Sequence, residues 1–238
     1  MPTYRDQAVV LRAHKLGEAD RILTLLTAEH GKVRAVAKGI RRTSSKFGGR
    51  LEPSSQVDLQ LATGRSLDTI TQAETINAFS QALGEDFEKY QAGSAMLEAA
   101  DRLVPEEGVP ARSQYRLLVG ALYALAHGAH GVNLVRDSHL LRAMAIAGYT
   151  PVLDGCARCG KPGPWQWFSV QLGGVACDDC HPPGSVRLDP EVLSLLRALL
   201  AGDWEATREV PPEVQAEASG VVAAFVNWHL EQSIRSLN

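Results

Sequence analysis

The chain has 238 residues, of which 45% are hydrophobic and 21% charged, proportions that exclude a disordered chain. Its longest apolar run, residues 117–126, is about half of the ~20 residues that span a bilayer, and the N-terminus lacks the apolar segment of a signal peptide, so a cytoplasmic protein is expected. The net charge of -3 hides a division: residues 1–80 carry 12 Lys and Arg against 8 Asp and Glu, whereas residues 81–238 carry 12 against 19, so one end suits a polyanion and the other repels it.

The first eighty residues read as β. Apolar runs at 8–11 and 21–27 are the first two candidate strands. His30-Gly31 marks a tight turn into 32–38, where Val33, Ala35 and Ala37 alternate with Arg34, Val36 and Lys38. That period of two predicts a strand with one apolar and one partly basic face. Residues 57–61 alternate again, and 69–78 form a fifth candidate. Between the third and fourth lies 39–53, whose Thr43-Ser44-Ser45, Gly48-Gly49 and Pro53 have the composition of a loop. Five short strands predict a small closed barrel, and strand count alone leaves OB-type and SH3-like barrels open.

After residue 80 the period becomes helical. Residues 84–104 carry Glu85, Asp86 and Glu88 in the first turn, with apolar Phe87, Tyr90, Leu97 and Leu103. Residues 112–127 place Tyr115, Leu118, Leu122 and Leu125 on one face, and 134–147 stop at Gly148 with Pro151 beyond. Asp189-Pro190-Glu191 reads as a helix start, Val192, Leu195, Leu196 and Leu199 as its buried face, and Gly202 as its end. A last helix from about Glu213 carries Val214, Ala218, Val221, Phe225 and Trp228 at helical spacing. His127, His130 and His139 lie near expected helix ends and read as capping or surface histidines.

All four cysteines fall in two CxxC pairs, Cys156 with Cys159 and Cys177 with Cys180. This spacing is a strong signal for one tetrahedral Zn2+, and four thiolates leave no position for water or substrate, so a structural metal is expected. An apolar stretch at 165–170 and the Gly173-Gly174 turn between the pairs complete the plan of a zinc ribbon at about 152–184. Disulfides suit a reducing compartment poorly. Cys177 to His181 also match a haem-attachment pattern, but that requires export and leaves Cys156 and Cys159 unexplained. A degenerate or partly occupied zinc site is the remaining alternative, and His181 reads as a loop histidine.

The cations Lys32, Arg34, Lys38, Arg41, Arg42, Lys46 and Arg50 fall in nineteen residues that contain no acid. Because the run spans a strand and the loop after it, its charges can converge on one side, the surface a barrel offers to single-stranded nucleic acid. Phe47 within it is read as barrel core in preference to a base-stacking aromatic. No phosphate-binding glycine loop, dinucleotide fingerprint or deaminase pattern is present, and no catalytic constellation is found.

The stretches around Ala8–Arg12, Gly17–Thr27, His30–Gly39 and Phe47–Pro53 closely resemble the start of the bacterial recombination mediators of the RecO family. The likeness continues through the helical part and the cysteine pairs. It implies an N-terminal OB-fold (1–80) and a helical domain (81–238) with the zinc module inserted. It further implies a non-enzymatic protein that binds single- and double-stranded DNA and anneals complementary strands covered by single-strand-binding protein. With RecR, such a protein helps load RecA. The seven cations would then be the DNA surface, and Arg102, Arg112, Arg116 and Arg142 are candidates to meet the acidic tail of single-strand-binding protein. The competing expectation is a zinc-ribbon RNA-binding accessory factor of transcription or translation.

Overall fold

The computed structural model describes residues 2–104 and 107–230. By compactness the chain divides into two units, Met1–Ala129 and His130–Asn238.

The first unit opens with strands β1 (Thr3–Leu16), β2 (Asp20–Thr27), β3 (Gly31–Ala37), β4 (Gln56–Ala62) and β5 (Asp68–Asn77). They close into a barrel in the order β1-β2-β3-β5-β4, every pairing antiparallel except β3 with β5. This crossed order is the Greek-key plan of an OB-type barrel. β1 is far longer than its apolar centre at 8–11 because it has two partners. Thr3 to Val9 pair with β4 and Ala8 to Leu16 pair with β2, the latter register interrupted by a bulge between Val10 and Arg12.

The alternation expected of β3 is present. Val33, Ala35 and Ala37 are buried with Leu23, Leu25, Val57, Leu59 and Leu61, while Lys32, Arg34 and Val36 face away. The β3–β4 loop sends Phe47 and Leu51 into the same core, at 1% and 0% exposure. Each such large apolar side chain contributes about 1.5–3 kcal/mol on burial. Gly31, at the mouth of β3, has φ of +67°, and a Cβ there would lie 1.7 Å from the Val109 carbonyl oxygen. Only glycine serves both constraints.

Three helices complete this unit: α1 (Phe79–Gly84), α2 (Phe87–Leu103) and α3 (Arg112–His127). The expected helix over 84–104 is thus preceded by a separate turn of helix. The carboxylate of Asp86 accepts from the Lys89 N–H and starts α2 afresh. Its buried face matches the expected one only in part, with Leu97 buried and Leu103 half-buried. Ala92, Ala95, Met96, Ala99 and Ala100 are buried, and Phe87 and Tyr90 are exposed. On α3 the expected stripe of Tyr115, Leu118, Leu122 and Leu125 is buried, and Gly128 ends the helix in the left-handed region.

The second unit consists of α4 (Val132–Ile146), the short strands β6 (Trp167–Ser169), β7 (Gly174–Ala176) and β8 (Val186–Arg187), and helices α5 (Pro190–Ala201) and α6 (Pro212–His229). The strands form a sheet in the order β7-β6-β8, and α4, α5 and α6 pack on one another. Asp189 caps α5 through the Glu191 N–H, with Val192, Leu195, Leu196 and Leu199 buried and Gly202 closing the helix, as its residues predict. On α6, Val222 and Val226 are buried where Val221 and Trp228 were expected, and Trp228 is exposed. His139 lies inside α4 and is buried, so it is neither a cap nor a surface histidine. Among the described residues no helix is long and apolar enough to cross a membrane.

Candidate nucleic-acid interface and metal centre

The alternation that buries Val33, Ala35 and Ala37 sends Lys32 and Arg34 to the outside of the barrel, with exposed Lys38 just beyond the strand. The chain then enters the loop that carries Arg41, Arg42, Lys46 and Arg50, all exposed. This loop is tied down at several points. The Gly39 N–H donates to Asp20 Oδ1 at 2.7 Å and the Arg41 N–H to the Ala19 carbonyl at 3.0 Å, while the Arg21 guanidinium bonds Glu52 at 2.8 Å. Phe47 plugs the barrel, which settles its role as core and removes it as a stacking platform.

The cations differ in what they face. Lys46 Nζ donates to the Thr71 carbonyl at 2.7 Å, Arg50 to the Lys46 carbonyl at 2.7 Å, and Arg41 to the Gly17 carbonyl at 3.2 Å. These contacts orient the side chains without neutralising them. Among the described residues, Lys38, Arg41, Arg42, Lys46 and Arg50 make no ion pair. Arg34 approaches Glu107 at 3.8 Å, both groups being about half exposed, an arrangement that water screens.

Lys32 is different. Its side chain is 12% exposed, and the ammonium donates to the Asp101 carbonyl at 2.9 Å and carboxylate at 3.3 Å, while Arg12 bonds the other carboxylate oxygen at 2.9 Å. It ties β3 to α2. Sequence reasoning also passed over Arg65, exposed in the β4–β5 turn three residues before Asp68, which pairs with Ala35 of β3. Its only signal was a cation in a Gly-Arg-Ser turn outside the basic run.

The four cysteine sulfurs all lie within 4.8 Å of one another, and those of Cys159 and Cys177 are 3.9 Å apart. Four sulfurs at about 2.3 Å from a central ion would sit roughly 3.8 Å apart, so the donors fit one tetrahedral metal ion. The backbone builds both knuckles. The Gly160 N–H returns to the Cys156 carbonyl at 2.8 Å, and those of Cys180 and His181 return to the Cys177 carbonyl at 3.0 and 3.1 Å. The backbone N–H of Cys177, helped by those of Cys159 and Arg158, lowers the Cys156 thiol to about 6, although burial opposes it. The Cys180 thiol is pushed up to about 12, chiefly by its bond to the Cys177 sulfur and also by burial. Sulfurs this close share protons rather than ionise together, and a divalent cation would take the protons' place. Around them Trp165, Leu172 and Ala176 form a small core, Trp167 donates to Asp178 at 3.1 Å, and His181 stacks on Trp167 at 4.4 Å.

Of the four helical arginines, Arg102 pairs with Glu98 at 2.6 Å and Arg112 with Glu29, while Arg116 is exposed and Arg142 half-buried.

Comparison with known proteins divides the chain at the end of the barrel rather than after Ala129. Residues 1–79 match the family profile described as recombination protein O N terminal, and residues 84–238 match recombination protein O C terminal. The chain is 55% identical over 241 residues to the DNA repair protein RecO of Cutibacterium acnes, covering 100% of this chain and 98% of that protein. It is 55% identical to that of Nocardioides sp., over 98% and 97% of the two chains, and 52% identical to that of Streptomyces coelicolor, over 100% and 98%.

Proposed function

The chain belongs to the RecO family of DNA repair proteins, and from that premise we propose that it is a non-enzymatic recombination mediator. It binds single- and double-stranded DNA through the barrel and anneals complementary strands that carry single-strand-binding protein. With RecR, it helps load RecA onto such strands, and it is nucleoid-associated while so engaged. Family membership removes the ground for the RNA-binding accessory factor.

The observation that carries this reading is the run of exposed cations, Lys38, Arg41, Arg42, Lys46 and Arg50, which pair with no carboxylate among the described residues, Arg41, Lys46 and Arg50 meeting backbone carbonyls instead. Two single strands repel along their phosphates. A surface of fixed positive charge lowers that repulsion without sequence readout, and counterions released from the strands drive the binding. With Phe47 inside the barrel, the loop offers charge without a stacking ring, which leaves base edges free to pair. Lys32, committed to Asp101, takes no part, while Arg34 contributes from the edge of the patch.

The four cysteines hold one structural Zn2+, whose role is to fold the module rather than to react. With every coordination position taken by sulfur, no water is activated there. The reading is tested by annealing of complementary oligonucleotides coated with single-strand-binding protein, in the absence of ATP. The expected result is rapid annealing that falls to the protein-free rate when Arg41, Arg42 and Lys46 are all replaced by alanine. Annealing at the wild-type rate by the triple variant would overturn it.

A further inference from the structure

We propose that the groove between the β3–β4 loop and helices α1 and α2 docks a segment of a partner protein that presents an apolar anchor flanked by lysine or arginine. The starting point is the misplaced aromatic pair on α2. Phe87 is 78% exposed and Tyr90, one turn on, 59% exposed, so two large rings stand in water on one helix face. Tyr90 forms one wall of a cavity of about 500 Å3 lined further by Pro53, Ser54, Leu83, Gly93 and Leu97. That volume falls within the ~300–1,000 Å3 range of ligand sites. Gly93 lets the Leu83 side chain of α1 pack closely on α2 at the cavity floor, where a Cβ would lie 2.9 Å from Leu83. Exposed apolar surface beside a concave cleft marks an interaction site.

The charge around the cleft selects the occupant. Glu52 lines it, and Glu85, Asp86 and Glu88 follow directly on Gly84 at its mouth, the last three all exposed. Asp86 is engaged at the helix start and Glu52 with Arg21, but Glu85 and Glu88 make no ion pair among the described residues. The one nearby cation of α2, Lys89, reaches to the Ala126 carbonyl of α3 at 3.4 Å. The N-terminus of α2 carries about half a positive charge, which these carboxylates outnumber. DNA or an acidic peptide would be repelled here, whereas a basic-flanked apolar segment gains on both counts. Its carboxylates set this groove apart in charge from the cations at 41–50 of the same loop.

The test is a selection of phage-displayed random dodecapeptides on the full-length chain, counter-selected on a Phe87→Ser/Tyr90→Ser variant. The expected winners carry a leucine, isoleucine, phenylalanine or tryptophan with lysine or arginine within three residues. A fluorescent copy of the best winner is expected to bind at least tenfold more weakly to the double variant and several-fold more weakly to Glu85→Lys/Glu88→Lys. Ser94→Arg, which fills the groove and leaves both rings in place, gives the same loss, and single-stranded DNA binding stays unchanged throughout. Enrichment that ignores Phe87 and Tyr90, or winners with acidic flanks, overturns the proposal. So does a wild-type dimer in sedimentation that Phe87→Ser converts to monomer, because the occupant would then be a second copy of this chain.

Discussion

The barrel and the cysteine module solve the same problem, holding a small sheet together, by opposite means. The barrel closes on itself and fills its interior with Val, Leu, Ile and Ala from every strand, plus Phe47 and Leu51 from a loop. The module has strands of three, three and two residues and a core built around Cys156, Ala176 and Cys177. So little apolar area cannot offset the conformational entropy of ordering it, and a metal ion held by the four sulfurs would supply the difference. On the proposed reading the barrel is stable by packing and the cysteine module by coordination.

Removal of the metal tests this contrast most strongly. Structural zinc sites contribute an apparent 10–16 kcal/mol, so chelation or Cys159→Ser is expected to abolish metal content and expose amides of 156–180 to rapid hydrogen exchange. Protection in β1 to β5 should persist, and DNA binding with it. A barrel that loses protection at the same time would break the comparison.

The converse perturbation is Phe47→Ala, which leaves a cavity in the barrel and should cost about 3–5 kcal/mol in a denaturant titration. Metal content should stay at one ion per chain. Next in size is the triple replacement of Arg41, Arg42 and Lys46 by alanine. At about 0.7 per single-strand phosphate contact, the slope of log affinity against log salt should flatten by about 2. Melting of the barrel should hardly move, since all three side chains are exposed. The smallest effect is expected from Lys32→Met, which leaves Arg12 on Asp101 and should keep DNA affinity within about twofold. A loss equal to that at Arg41 would show that the whole of β3 faces the DNA.

Much of this was legible in the residues themselves. The Val33-Arg34-Ala35-Val36-Ala37 alternation specifies its own two faces, and two CxxC knuckles bring their sulfurs to one cluster, because both patterns are read from local spacing. Legibility failed where neighbours distant in sequence decide. Phe87 and Tyr90 read as the buried face of α2, yet the stripe of Ala92, Ala95 and Ala99 lets the helix approach its neighbours closely and leaves the rings outside. His139 looked peripheral because its burial depends on packing within the second unit rather than on α4 alone. Lys32 differs from Lys38 only through Asp101, sixty-nine residues away.

The seating of Phe47 has a calorimetric consequence. A free loop would give up about 1–2 kcal/mol of backbone entropy per residue when a ligand ordered it. Here Phe47 and Leu51 already anchor the segment to the barrel core, so a strand of DNA bound as proposed would meet a largely preformed template. Association should then be driven by released ions, with only a small change in heat capacity, and its affinity should vary little with temperature.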